Sequence, residues 1–177
     1  MDFGPRVHRS FGRNDDAPMI DLILAIKFVH VLAAAAMFGT WLGILGFMLP
    51  AYRSRNPSVV ALVAQFAVRI ELFVVAAALV LQPVSGFPLA WVIGLTPLNE
   101  FWIDASLALY GLVVAVWLVS LRIEIRLRNL ARDAALNRVA LGGDYPRLFR
   151  IWFALAAILL AAMVALILLM VWQPRLD

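Results

Sequence analysis

The sequence predicts an all-α integral membrane protein: a four-helix bundle built from two antiparallel transmembrane hairpins. Two observations carry that expectation. Hydrophobic residues make up 64% of the 177 residues and charged residues only 15%, whereas a soluble domain carries roughly 25% charged residues. The apolar residues also fall into four runs, about residues 20–49, 59–81, 101–120 and 151–172. Each reaches the length of about 20 residues that a helix needs to cross a hydrocarbon core of about 30 Å. In lipid a helix satisfies its own backbone, so helices are the expected form of all four.

The elements follow in order. The first 18 residues, MDFGPRVHRSFGRNDDAP, are polar and lack the apolar stretch and cleavage site of a signal peptide. With Met19 directly ahead of the apolar run, residues 1–18 read as a disordered tail or a misassigned start. A single transmembrane domain is expected over 19–174, with a tail over 175–177. Pro50 follows the first span, and Asn56-Pro57 offers an N-cap and an N1 proline for the second. LQPVSGFP, residues 81–88, is expected to break the chain after the second span, and Thr96-Pro97 to open the third. The segment RIEIRLRNLARDAALNR continues the third span as a cytoplasmic helical extension over 121–138, with Glu124 and Arg128 paired one turn apart. Gly142-Gly143 ends it, after which Asp144 and Pro146 can begin the fourth helix.

Charge sets the expected orientation. The 15 basic residues are Lys27 and 14 arginines, and nine of those arginines lie in two inter-span links: Arg53 and Arg55, then Arg122, Arg126, Arg128, Arg132, Arg138, Arg147 and Arg150. The other side holds Arg6, Arg9, Arg13 and Arg175. Basic flanks stay in the cytoplasm, so both termini are expected on the outer side of a bacterial inner membrane. A pI near 10.3 comes without any aromatic-interleaved basic motif, which points to anionic lipid head groups and not to nucleic acid. The absence of cysteine excludes disulfides, thiolate metal sites and cysteine nucleophiles.

Ionisable residues inside the spans cost roughly 2.5–3.5 kcal/mol each and need a partner or a purpose. Lys27, Glu100 and Asp104 are shallow, and an ion pair of Lys27 with Asp104 or Glu100 would tie span 1 to span 3. Arg69 and Glu71 lie deeper, Glu71 near the midplane, and read as polar glue between helices ahead of a proton relay. His30 sits about 12 Å below the outer surface at about 1.5 Å per residue. It shares a helical face with Lys27, Ala34, Met37, Trp41, Ile44 and Met48, opposite a small-residue stripe of Ala35, Gly39, Gly43 and Gly46. The stripe suits close helix packing, within a homo-oligomer or against another membrane protein. His30 is either a neutral histidine bonded to another helix or a haem iron ligand. His30 and Met37, about 10 Å apart along one helix, cannot bind one iron from opposite sides. Met163 in span 4, nearly level with His30, is a candidate second ligand; a second His30 from a symmetric partner is the other.

KFVHVLAAAAMFGTWLG, LQPVSG, FWIDASLALYG and YPRLFRIWFAL, in that order, resemble a bacterial integral membrane family of unknown function, DUF2269, over about residues 19–174. That resemblance implies four helices in a bacterial inner membrane. A more distant one is to the HemJ-type protoporphyrinogen oxidases and the CopD-like copper-resistance membrane proteins. Lys27 and His30 match the Lys-x-x-His unit of HemJ-type first spans, whose histidine is implicated in haem binding, and FRIW at 149–152 is similar to their FRIF. Phe153-Ala154 stand where that family has Asn-Glu, and Asp104 and Ser106 where it has a lysine. The resemblance therefore implies haem b on His30, with Lys27 near the propionates, and does not extend to the oxidase positions. No catalytic triad, phosphate loop or metal-ligand spacing accompanies these residues. Two functional classes stand: a haem b-binding membrane protein in redox or porphyrin chemistry, and a non-catalytic membrane module whose intramembrane charges are structural.

Overall fold

The computed structural model describes residues 17–92, 94 and 100–173. Its elements are α1 (Ala17–Arg53), α2 (Pro57–Ile70), a π-helical turn (Glu71–Val75), α3 (Ala76–Val92), α4 (Phe101–Leu136) and α5 (Tyr145–Trp172). α2, the π turn and α3 run on as one rod, so four helices are long and apolar enough to cross a membrane. The all-α four-helix architecture expected from hydropathy is the one found.

Every helix outlasts its apolar run. α1 continues through Pro50 to Arg53, and α5 starts at Tyr145, well before residue 151, with Pro146 in its first turn. α4 carries span 3 and its extension without a break as far as Leu136. Asn56 caps α2 as expected, its Oδ1 accepting the Ser58 N–H at 3.0 Å. The expected break at 81–88 is absent: α3 passes through Pro83 and Pro88 to Val92. Pro83 has no N–H to give the Leu79 carbonyl one turn back. The Tyr110 hydroxyl of α4 donates to that carbonyl instead, so the helix continues with its freed acceptor satisfied. Of the tail expected over 1–18, Ala17 and Pro18 belong to α1; residues 1–16, the tail 175–177 and the Thr96-Pro97 helix start lie outside the described residues.

The rod changes neighbour along its length, α2 packing mainly on α4 and α3 mainly on α1, while α4 and α5 pair closely. The change falls at the π turn, where the Ala76 N–H reaches back five residues to the Glu71 carbonyl. Burial is organised in two apolar layers. One joins Ala33, Met37 and Trp41 of α1 to Val75, Leu79, Val113, Leu159 and Met163. The other, toward the 53–57 and 137–144 turns, joins Ile44 and Met48 to Val60, Ala64, Leu127 and Phe149. Tyr52, Tyr145 and Phe149 stack across that end, with Tyr52 and Phe149 ring centroids 4.1 Å apart. Met37, Trp41, Ile44 and Met48 are all buried, so the histidine face of α1 looks into the bundle and the glycine face looks out.

Candidate functional site

Two polar centres interrupt this interior. The inner one lies where the two apolar layers meet. Glu71, the first residue of the π turn, is 5% exposed, and the Trp117 indole N–H of α4 donates to its Oε2. Trp41 of α1 lies beside the same carboxylate, with its own Nε1 lacking a partner. Glu124 of α4 is completely buried, and neither of its carboxylate oxygens has a partner among the described residues. Trp152 of α5 lies against it, and Glu71 is near enough for the two charges to interact.

The expected surface pairing of Glu124 with Arg128 is thus overturned. Arg128 instead holds Asn129, its Nε and one terminal nitrogen donating to Oδ1 at 3.2 and 2.9 Å. The placement has a sequence signature that the pair spacing obscures. Val113, Trp117, Ser120, Glu124, Leu127, Ala131 and Ala134 recur at alternating intervals of four and three, and all are buried. This is a seam of the heptad kind, in which a residue faces its neighbours whatever its charge.

The outer centre surrounds His30. Its Nδ1 lies 2.9 Å from the Ser85 hydroxyl of α3, and Gln82 Nε2 donates to its backbone carbonyl at 3.3 Å. The Ser85 hydroxyl is also 2.5 Å from the Leu81 carbonyl. A serine hydroxyl has one proton to give, and the short contact to the carbonyl takes it. Nδ1 is then the donor to Ser85, and the His30 lone pair resides on Nε2. Gly86 leaves room for the ring: a Cβ there would meet His30 Cε1 at 3.2 Å. LQPVSG is therefore the surface against which His30 packs.

Met163 is buried in the outer apolar layer with Met37 and Trp41, whereas the polar contacts of His30 all run to α3. Lys27 is exposed, and Asp104 and Glu100 are half-buried. Arg69 and Gln65 do share a face, but it is the exposed face of α2, at about 180° from Val60 in the buried stripe. Of the deep pair expected as polar glue, Glu71 alone bonds another helix among the described residues. No group of three or more metal-ligating His, Asp or Glu side chains exists among the described residues. A porphyrin on His30 could use Nε2 alone, because Ser85 occupies Nδ1.

Four membrane-length helices around a buried, partly unsatisfied polar interior define an integral membrane helical bundle. The chain belongs to DUF2269, described as a predicted integral membrane protein family, whose model matches residues 24–174. No curated protein and no solved structure matches it.

Proposed function

We propose that the protein is a non-catalytic module of the bacterial inner membrane, with both termini outside, which self-associates through the small-residue face of α1. One observation carries this reading. A Cβ built on Gly39, Gly43 or Gly46 meets nothing within 4 Å, and Ala35, Gly39, Gly43, Phe47 and Ile70 line an open groove there. Gly39 and Gly43 are spaced as in the motif that lets two membrane helices approach backbone to backbone. A second copy supplies both the same recess and a Phe47, 71% exposed, to fill it, as a two-fold interface requires. The nine arginines at the turn end favour the orientation, and they suit anionic head groups.

The chain has no cysteine, so Gly39→Cys and Gly43→Cys report the interface directly. Both should form disulfide-linked dimers in native membranes, and Gly43→Leu should abolish dimers captured by a lysine-independent cross-linker. Absence of linkage at both positions would refute the reading.

The Nε2 lone pair of His30 favours a second reading, in which haem b binds there, with Met163 as second ligand and Lys27 near the propionates. A Soret band lost in His30→Ala is its expected signature. Colourless protein purified from haem-replete cells would end it.

A further inference from the structure

We propose that one anionic glycerophospholipid binds in a groove between the end of α1 and the start of α5, its phosphate on Arg53 and Arg150 and an acyl chain over Leu49 and Phe153. The site deepens the suitability of the arginines for anionic head groups and rests on that reading, not on self-association or orientation. Leu49, Tyr52, Arg53, Phe149, Arg150 and Phe153 line a groove of about 280 Å³. Pockets that enclose a small molecule start at about 300 Å³, so this open groove takes one segment of a larger amphiphile.

The groove is polarised along its length. α1 ends at Arg53 and α5 begins at Tyr145, at the same end of the bundle. Leu49 stands four residues before Arg53 and Phe153 three residues after Arg150, so each apolar side chain shares a helical face with its arginine. The two helices run in opposite directions, and both steps therefore lead away from the turn end, by about 6 and about 4.5 Å at about 1.5 Å per residue. Two guanidinium groups thus stand above one apolar floor, which Tyr52 and Phe149, stacked with centroids 4.1 Å apart, complete. A phospholipid presents the same order of groups, charge at the surface and hydrocarbon beneath it.

Charge selects the occupant. α1 has no acidic residue beyond Asp21 and α5 has none, and among the described residues no carboxylate from another helix lines the groove. Arg53 and Arg150 are exposed, and a guanidinium binds phosphate through paired N–H donors. A zwitterionic lipid would bring a cationic amine beside the same arginines and offset that attraction. Phosphatidylglycerol, whose head carries no cation, keeps it.

The test is native mass spectrometry of the full-length protein in detergent micelles titrated with phosphatidylglycerol or phosphatidylcholine. Phosphatidylglycerol should give one saturable adduct and bind more tightly than phosphatidylcholine. The double variant Arg53→Gln with Arg150→Gln should bind it about thirtyfold more weakly, at roughly fivefold per arginine. Arg122→Gln with Arg126→Gln, which removes two exposed arginines of α4, should bind it as the wild type does. Equal affinities in the two double variants would overturn the site while sparing the general attraction to anionic head groups. Displacement of the lipid by glycerol phosphate at the same concentration would assign the groove to a soluble phosphate ester and overturn the lipid. Wild-type protein that does not distinguish the two lipids would overturn both the site and the head-group reading, and that result needs no variant to fold.

Discussion

Removing the Tyr110 hydroxyl tests how α3 survives a proline. In Tyr110→Phe the Leu79 carbonyl, released by Pro83, loses its donor. Leu79 is 6% exposed and no water is at hand in a hydrocarbon core. Hydrogen bonds between membrane helices average about 0.6 kcal/mol and reach about 1.7. A buried acceptor without an alternative belongs near the top of that range, so the loss should be about 1.5 kcal/mol, roughly tenfold in the unfolding constant. The cause is isolated by a double-mutant cycle with Pro83→Ala, since alanine restores the N–H that Leu79 lacks. In that background Tyr110→Phe should cost about 0.3 kcal/mol or less, leaving a coupling near 1 kcal/mol. Reversible unfolding in mixed micelles, titrated with dodecyl sulfate and followed by circular dichroism, supplies all four free energies. An equal cost of Tyr110→Phe with and without Pro83 would refute the account.

Three further outcomes follow from the same contacts. Gly86→Val places side-chain carbon against His30 Cε1, where a Cβ alone already stands at 3.2 Å, and should destabilise the bundle by about 1–3 kcal/mol in the same micelle titration through overpacking. Trp117→Phe deprives Glu71 of its indole donor and should lose about 1–3 kcal/mol; a variant as stable as wild type would mean that this bond contributes nothing. Alkaline phosphatase fused after Asp177 should be active if the C-terminus lies outside, as the proposed orientation has it from the arginine asymmetry, and an inactive, stably expressed fusion would reverse that orientation.

Hydropathy alone made the four spans legible, because about 20 apolar residues in succession have few other uses. It was blind to their true length. Pro83 and Pro88 read as a break because a proline's defect is local, whereas its remedy, Tyr110, stands 27 residues downstream of Pro83 on another helix. The inward face of α1 was readable from its period, but not what His30 would meet, since Ser85 and Gly86 lay inside the supposed break. Glu124 was hidden by a plausible neighbour: a glutamate four residues before an arginine matches a surface pair as well as it matches a seam. Only the longer rhythm from Val113 to Ala134 separates the two, and it runs across the boundary where hydropathy ends the span.

The π turn at Glu71–Val75 also bears on how the chain can change length. A wide turn holds one residue more than a regular one, so deleting a residue there lets it tighten while α3 stays where it is. The same deletion elsewhere between Pro57 and Val92 rotates everything beyond it by about 100°, carrying Leu79 away from Tyr110 and Ser85 away from His30. Insertions and deletions tolerated during divergence should therefore cluster at this one turn. A relative shorter by one residue here would keep the polar contacts of α3 with Tyr110 and His30 and lose only the local geometry that presents Glu71.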